Sequence, residues 1–226
     1  MRLQLNSKRT LQWWTKMKNN LFPIAPSGIK YVSISGVVFV LFFLFDFDIL
    51  AFLSFLITLA LAFTFRNPER EVAVFEKGSV VSPVDGIVTS IENLKDEDFA
   101  YKVEVDSSCL DVGVLRSPMD AKVSSLQFFH GARISEDTAL HKVLNENASL
   151  VFENSDANSI KIQHRLKQSF APLSIDAMEA QELRQGTRYG MQVNGTTTLY
   201  FPQNFRLNVN VGSPLEASQT LLGYFS

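Results

Sequence analysis

Cysteine is nearly absent: Cys109 is the only one in 226 residues. An intrachain disulfide is therefore excluded, and the fold does not rely on an oxidising compartment. A lone cysteine reads as a small buried apolar residue rather than a nucleophile. Histidine is almost as scarce. His130, His141 and His164 lie too far apart, beside a single cysteine, to form a metal-ligand pattern, so no metal is expected. Charge of either sign is not in surplus. The net charge of -2 removes the electrostatic ground for a nucleic-acid partner. Internal repeats and low-complexity stretches are missing too. A cleaved signal peptide is not expected, because the first apolar run begins late and no small-residue cleavage site follows it.

Phenylalanine, in contrast, is abundant, with 19 residues, many of them between Phe39 and Phe65. Residues 31–45 and 49–65 are two uncharged runs separated by Asp46-Phe47-Asp48. At about 1.5 Å per residue each run makes roughly 22 to 26 Å of helix, slightly less than a hydrocarbon core of about 30 Å. The simplest expectation is a transmembrane hairpin of two short helices, residues 31–66, behind a basic segment, residues 1–30. A re-entrant hairpin entering one leaflet is the alternative that length leaves open. Arg2, Lys8, Arg9, Lys16, Lys18 and Lys30 precede the hairpin, Arg66 and Arg70 follow it, and its turn carries only acids. The positive-inside rule then places both ends in the cytoplasm. Trp13 and Trp14, beside Lys16 and Lys18, suit an interfacial anchor or a cap on the following domain.

From residue 67 onward short runs of Val, Ile and Tyr alternate with Gly, Pro, Asn and Asp. Val80-Val81 and residues 86–91, 101–105, 111–115, 159–163, 197–201 and 205–211 read as strands. Residues 135–147 are the best candidate for a helix or ordered loop, although their apolar period is weak. The expectation is a mainly β domain over residues 67–226, a curled sheet or barrel-like sandwich with little helix. The apolar run ends in Phe65 and passes through Arg66-Asn67-Pro68-Glu69-Arg70 to Ser82-Pro83-Val84-Asp85-Gly86, so chemistry in this domain starts at a lipid surface.

Those two motifs continue in order with Ser117-Pro118-Met119-Asp120, His130-Gly131, Lys142, Asn145-Glu146 and Gln163. Gly186-Thr187-Arg188-Tyr189-Gly190-Met191, Tyr200-Phe201-Pro202 and Val211-Gly212-Ser213-Pro214-Leu215 complete the series. Each is weak alone. Together, and behind the hydrophobic hairpin, they resemble the short bacterial phosphatidylserine decarboxylases over nearly the whole chain.

The resemblance implies an enzyme that makes its own cofactor. In that family a serine after a glycine attacks the preceding carbonyl, and the chain splits to leave a pyruvoyl ketone. The ketone forms a Schiff base with phosphatidylserine, and loss of CO2 gives phosphatidylethanolamine. A histidine and an aspartate support self-cleavage. The aspartate position falls on Asp85, which the residues alone read as a turn former before Gly86. The histidine position falls on Lys122, and the cleavage pair on Gly195-Thr196. Threonine carries a hydroxyl, but its methyl group crowds the attack, and elimination would give a 2-oxobutyryl ketone. Residues 193–198 read equally as an Asn-Gly hairpin turn between β-branched residues. The family's Asn-Glu-Arg is Asn145-Glu146-Asn147 here. Its small apolar stretch after Gln163 is His164-Arg165-Leu166-Lys167, which reads as a solvated face or a contact for anionic headgroups.

The resemblance therefore implies a membrane protein of phospholipid biosynthesis on the cytoplasmic face of a bacterial inner membrane. Its partners would be the bilayer and a phosphatidylserine headgroup, with a homo-oligomer left open. The exchanged positions imply impaired activity, and a catalytically inactive headgroup-binding or regulatory relative is the alternative. A biotinyl or lipoyl carrier barrel ranks last, because no modifiable lysine stands at Asn194-Gly195.

Overall fold

A computed structural model describes residues 22–70, 75–76, 78–94, 99–136, 138 and 140–226. Trp13, Trp14 and the basic residues of the extreme N-terminus lie outside the described residues. Two antiparallel helices come first, α1 (Pro26–Leu44) and α2 (Asp48–Thr64). Pro26 supplies the fixed φ and missing N–H that suit a first helical turn, and Asp46, in the connecting turn, takes φ 59°. Helix α1 therefore starts five residues before the uncharged run. It is long and apolar enough to cross a membrane, whereas α2 is apolar but shorter, at 17 residues. Most of their large side chains face outward, among them Ile34, Phe43, Phe52 and Ile57.

The rest is mainly β, as expected. β1 (Ser79–Val81), β2 (Gly86–Asn93), β3 (Tyr101–Ser107), β4 (Val114–Arg116) and β5 (Ala121–Phe129) precede a short helix, α3 (His141–Leu144). β6 (Asn147–Glu153), β7 (Ser159–Leu166), β8 (Ser174–Ile175), β9 (Glu182–Leu183) and β10 (Arg188–Met191) follow. β11 (Gly195–Phe201), β12 (Phe205–Leu207), β13 (Pro214–Leu215) and β14 (Leu221–Phe225) complete the domain. The principal sheet has eight strands in the order β13-β2-β3-β11-β7-β6-β5-β9, flanked by the three-stranded sheets β1-β14-β12 and β4-β10-β8. Register shifts at Val88/Ser90 and Val123/Ser125 bend the large sheet.

The core follows from strict alternation. In β7, Ile160, Ile162, His164 and Leu166 are buried while the residues between them are only partly so. This corrects the reading of His164-Arg165-Leu166-Lys167 as a solvated face, because a period of two sends alternate residues inward. The aromatic rings of Phe201 and Phe205 stack at 4.2 Å, with Phe225 edge-on to Phe205. The expected helix over 135–147 shrinks to α3 because buried Asn145 staples its loop: Nδ2 donates to Ile134 O and Leu166 O, and Oδ1 accepts from Ile134 N. Cys109 is exposed rather than buried, in a tight turn whose backbone the Asp111 carboxylate caps.

A second apolar cluster joins the helices to the domain. Ala25 and Phe65 pack with Val112, Val114, Ala171, Met191 and Val193, and Tyr31 stacks on Phe65 at 5.2 Å. Ala25 N donates to Phe65 O and Asn67 N to Pro23 O, so both helix bases are clamped together. A Cβ at Gly28 would lie 2.3 Å from the Phe65 side chain, and this crossing needs glycine.

Candidate active site

The turn before β2 is built by its own side chains. Ser82 Oγ donates to Val84 O, and Asp85 then presents its carboxylate to the segment that follows α2. Arg70 donates to both oxygens, at 2.5 and 2.6 Å, and Ala217 N donates to Oδ1 at 2.8 Å. The pair is largely buried, each side chain 11% exposed. Burial opposes the Arg70 charge, but the bonds and field of Asp85 outweigh it and raise the guanidinium above its ordinary value. Gly86, at φ 153°, is required here, since a Cβ would meet Asp106 O at 2.2 Å.

Thr196 stands on the outer face of β11. Its row across the sheet runs from Ile87 through Asp106, Thr196, Arg165 and Asn147 to Phe129. Thr196 is partly exposed, and among the described residues no side chain hydrogen-bonds to its hydroxyl. Asp106, its neighbour on β3, is paired with Lys167, which also reaches Glu136 at 3.1 Å. Asp85 lies at the same end of the sheet, two positions before Ile87, and Ile87 sits two strands, roughly 10 Å, from Thr196. Lys122 is elsewhere. It occupies the other end of β5 from Phe129, paired in register with Glu153 and Glu182. It is exposed and lines an open cleft of about 580 Å³ with Asp120, Asn154 and Arg184.

Asn194 does adopt the left-handed conformation, φ 58°, that an Asn-Gly turn needs. The turn does not close a hairpin, however. β10 pairs with β4 and β8, whereas β11 pairs with β3 and β7, so Asn194-Gly195 carries the chain from one sheet into another.

A polar network beneath Thr196 was not anticipated. His164 and Thr197 face each other across β7 and β11 on the core side. His164 Nδ1 lies 2.9 Å from Thr197 Oγ1, and Nε2 lies 2.7 Å from the Tyr189 hydroxyl. Thr197 Oγ1 in turn donates to Gln192 Oε1 at 3.4 Å. A single polarity satisfies every partner: Tyr189 donates to His164, His164 to Thr197 and Thr197 to Gln192. Burial pushes the imidazole down to about 3 and the Tyr189 phenol far up, so both stay neutral. The signal for this network was the period-two pattern Ile160, Ile162, His164, Leu166, which marks His164 as inward-facing.

Comparison with known proteins gives one consistent result. Residues 57–223 match the family model described as phosphatidylserine decarboxylase. The phosphatidylserine decarboxylase proenzyme of Geotalea uraniireducens is 26% identical over 211 residues, covering 92% of this chain and 99% of that protein. The proenzyme of Geotalea daltonii is 27% identical over 92% of this chain and 99% of its own length. That of Neorickettsia sennetsu is 28% identical over 72% of this chain and 75% of its own. With the hairpin, the curled sheet and the motif order all in place, the chain belongs to the phosphatidylserine decarboxylase family.

Proposed function

We propose that this chain holds a phosphatidylserine headgroup at a membrane surface, on a decarboxylase scaffold whose self-cleavage is impaired. The observation that carries the reading is the Thr196 hydroxyl, which among the described residues has no base bonded to it. Self-cleavage requires a hydroxyl, a base and an orienting acid in one hydrogen-bonded chain. At the family's histidine position Lys122 is exposed and pairs in register with Glu153 and Glu182, away from Thr196. At the aspartate position both Asp85 oxygens are engaged by Arg70. The residues at the cleavage pair do not fit a pyruvoyl group, since Thr196 follows Gly195 and would leave a 2-oxobutyryl ketone.

Charge supports the placement. Lys30, Arg66 and Arg70 flank the two helices and Asp46 and Asp48 occupy their turn, so the β domain stands on the cytoplasmic face of a bacterial inner membrane. The test is the intact mass of the chain purified from membranes, paired with an assay of CO2 release from phosphatidylserine. A single species of 25.4 kDa that releases no CO2 is expected. A fragment ending at Gly195, with a ketone-capped partner starting at residue 196, would overturn the reading in favour of an active decarboxylase.

A further inference from the structure

Outside the Asp85 turn, Arg116 is an incompletely compensated buried group. It is 2% exposed, and its Nε is buried without a hydrogen-bond partner. Its other nitrogens reach only backbone: one donates to Pro68 O at 2.7 Å and one to Gly186 O at 3.5 Å. The nearby acids are engaged by other cations. Asp85 is held by Arg70 through two bonds, and Glu69 by Arg188 through one of 2.8 Å. Arg188 stands directly opposite Arg116 across the β4–β10 ladder, with its Nε on Asn67 Oδ1. Burial, the Arg188 charge and the Arg70 charge together push the Arg116 guanidinium down to about 10. A buried cation without an anion is costly, and a guanidinium with an idle N–H is a ready donor to an oxyanion.

The location is specific. Asn67, Pro68 and Glu69, which bond the two arginines, follow α2 after two intervening residues, at the level where an apolar helix would leave a bilayer. Glu69 itself is 60% exposed, so its carboxylate occupies Arg188 from the solvent side and can be displaced.

We propose that Arg116 and Arg188 form a binding site for a phosphate group, which displaces the Glu69 carboxylate and takes up the idle Nε of Arg116. Two guanidinium groups on neighbouring strands match the paired non-bridging oxygens of a phosphate ester better than point charges would. The inference rests on the reading above only for the lipid source of that phosphate; intact mass and CO2 release test that reading separately.

The experiment follows the melting temperature of the full chain in a neutral detergent against inorganic phosphate, with sodium chloride holding ionic strength constant. A saturable rise is expected for the wild type. The apparent affinity should fall at least tenfold, about 1.4 kcal/mol, in Arg116→Met and Arg188→Gln. Glu69→Gln, which removes the competing carboxylate, should tighten binding severalfold, an effect that a purely structural arginine cluster does not produce. Should Arg116→Met fail to fold, the partly buried Arg188 and the exposed Glu69 carry the test alone. Repeating the titration with sn-glycero-3-phosphoserine identifies the source: a larger rise than with inorganic phosphate marks a lipid headgroup, an equal one a free phosphate. The absence of any rise beyond chloride, or an identical rise in Arg188→Gln and Glu69→Gln, would overturn the proposal.

Discussion

Two buried polar groups set different experiments at the residue scale. Arg70 and Asp85 are a bidentate pair with little solvent, and removing one partner leaves a stranded charge. Asp85→Ala should therefore destabilise the chain by about 3 kcal/mol in denaturant unfolding. The double variant Arg70→Met/Asp85→Ala should lose less than the two single losses combined, because neither charge is left behind. His164 makes a pH prediction. Its folded value lies near 3 against an ordinary 6.5, so between these the unfolded chain binds the extra proton and stability falls as pH falls. Between pH 7 and pH 5 that amounts to about 2 kcal/mol. His164→Asn should abolish this part of the slope, which parallel denaturant titrations at the two pH values would read directly.

The element scale separates what patterning reveals from what it hides. The two apolar runs, the SPxDG turn and seven of the fourteen strands among the described residues are legible because each writes a local period or a turn residue. The short β8, β9, β10, β13 and β14 are not legible, and neither are the long β5 and β6. Residues 121–129 and 147–153 mix Ser, Gln and Asn with their apolar residues, and their strand character comes from pairing with each other and with β7. Asp85 was legible as a turn former, whereas its partner Arg70 was not, since nothing local links positions 70 and 85. His164 was hidden by its charged neighbours Arg165 and Lys167, although the alternation was there to be read. The hairpin base gives a sharper test of packing. At Gly28 a side chain would meet Phe65 at 2.3 Å, while at Gly36 nothing lies within 4 Å. Gly28→Val should cost about 1 to 3 kcal/mol by overpacking, and Gly36→Ala should be neutral or slightly stabilising. Thermal unfolding of the two variants in one detergent measures the contrast.

At the scale of the whole molecule the question is whether the helices are a removable tether or part of the fold. A division at residue 67, natural from composition, cuts through the second apolar cluster. Ala25 and Phe65 are fully buried in it, and Val112, Val114, Ala171, Met191 and Val193 lie beneath them. Arg188 donates to Asn67 and Glu69, Arg116 donates to Pro68 O, and Asp85 accepts from Arg70, so the same few residues after α2 also complete the polar centre. Removing residues 1–66 would expose this apolar patch and unclamp the segment that carries Arg70 and holds Arg116 and Arg188. The truncated chain 67–226 should aggregate in size-exclusion chromatography without detergent and recover a single peak with it, since an exposed apolar patch of this kind drives association. A monomeric 67–226 with unchanged unfolding free energy would mean that the helices only tether the domain. The outcome matters for function, because the proposed headgroup contact requires the clamp that holds Asp85, Arg116 and Arg188 at the base of the helices.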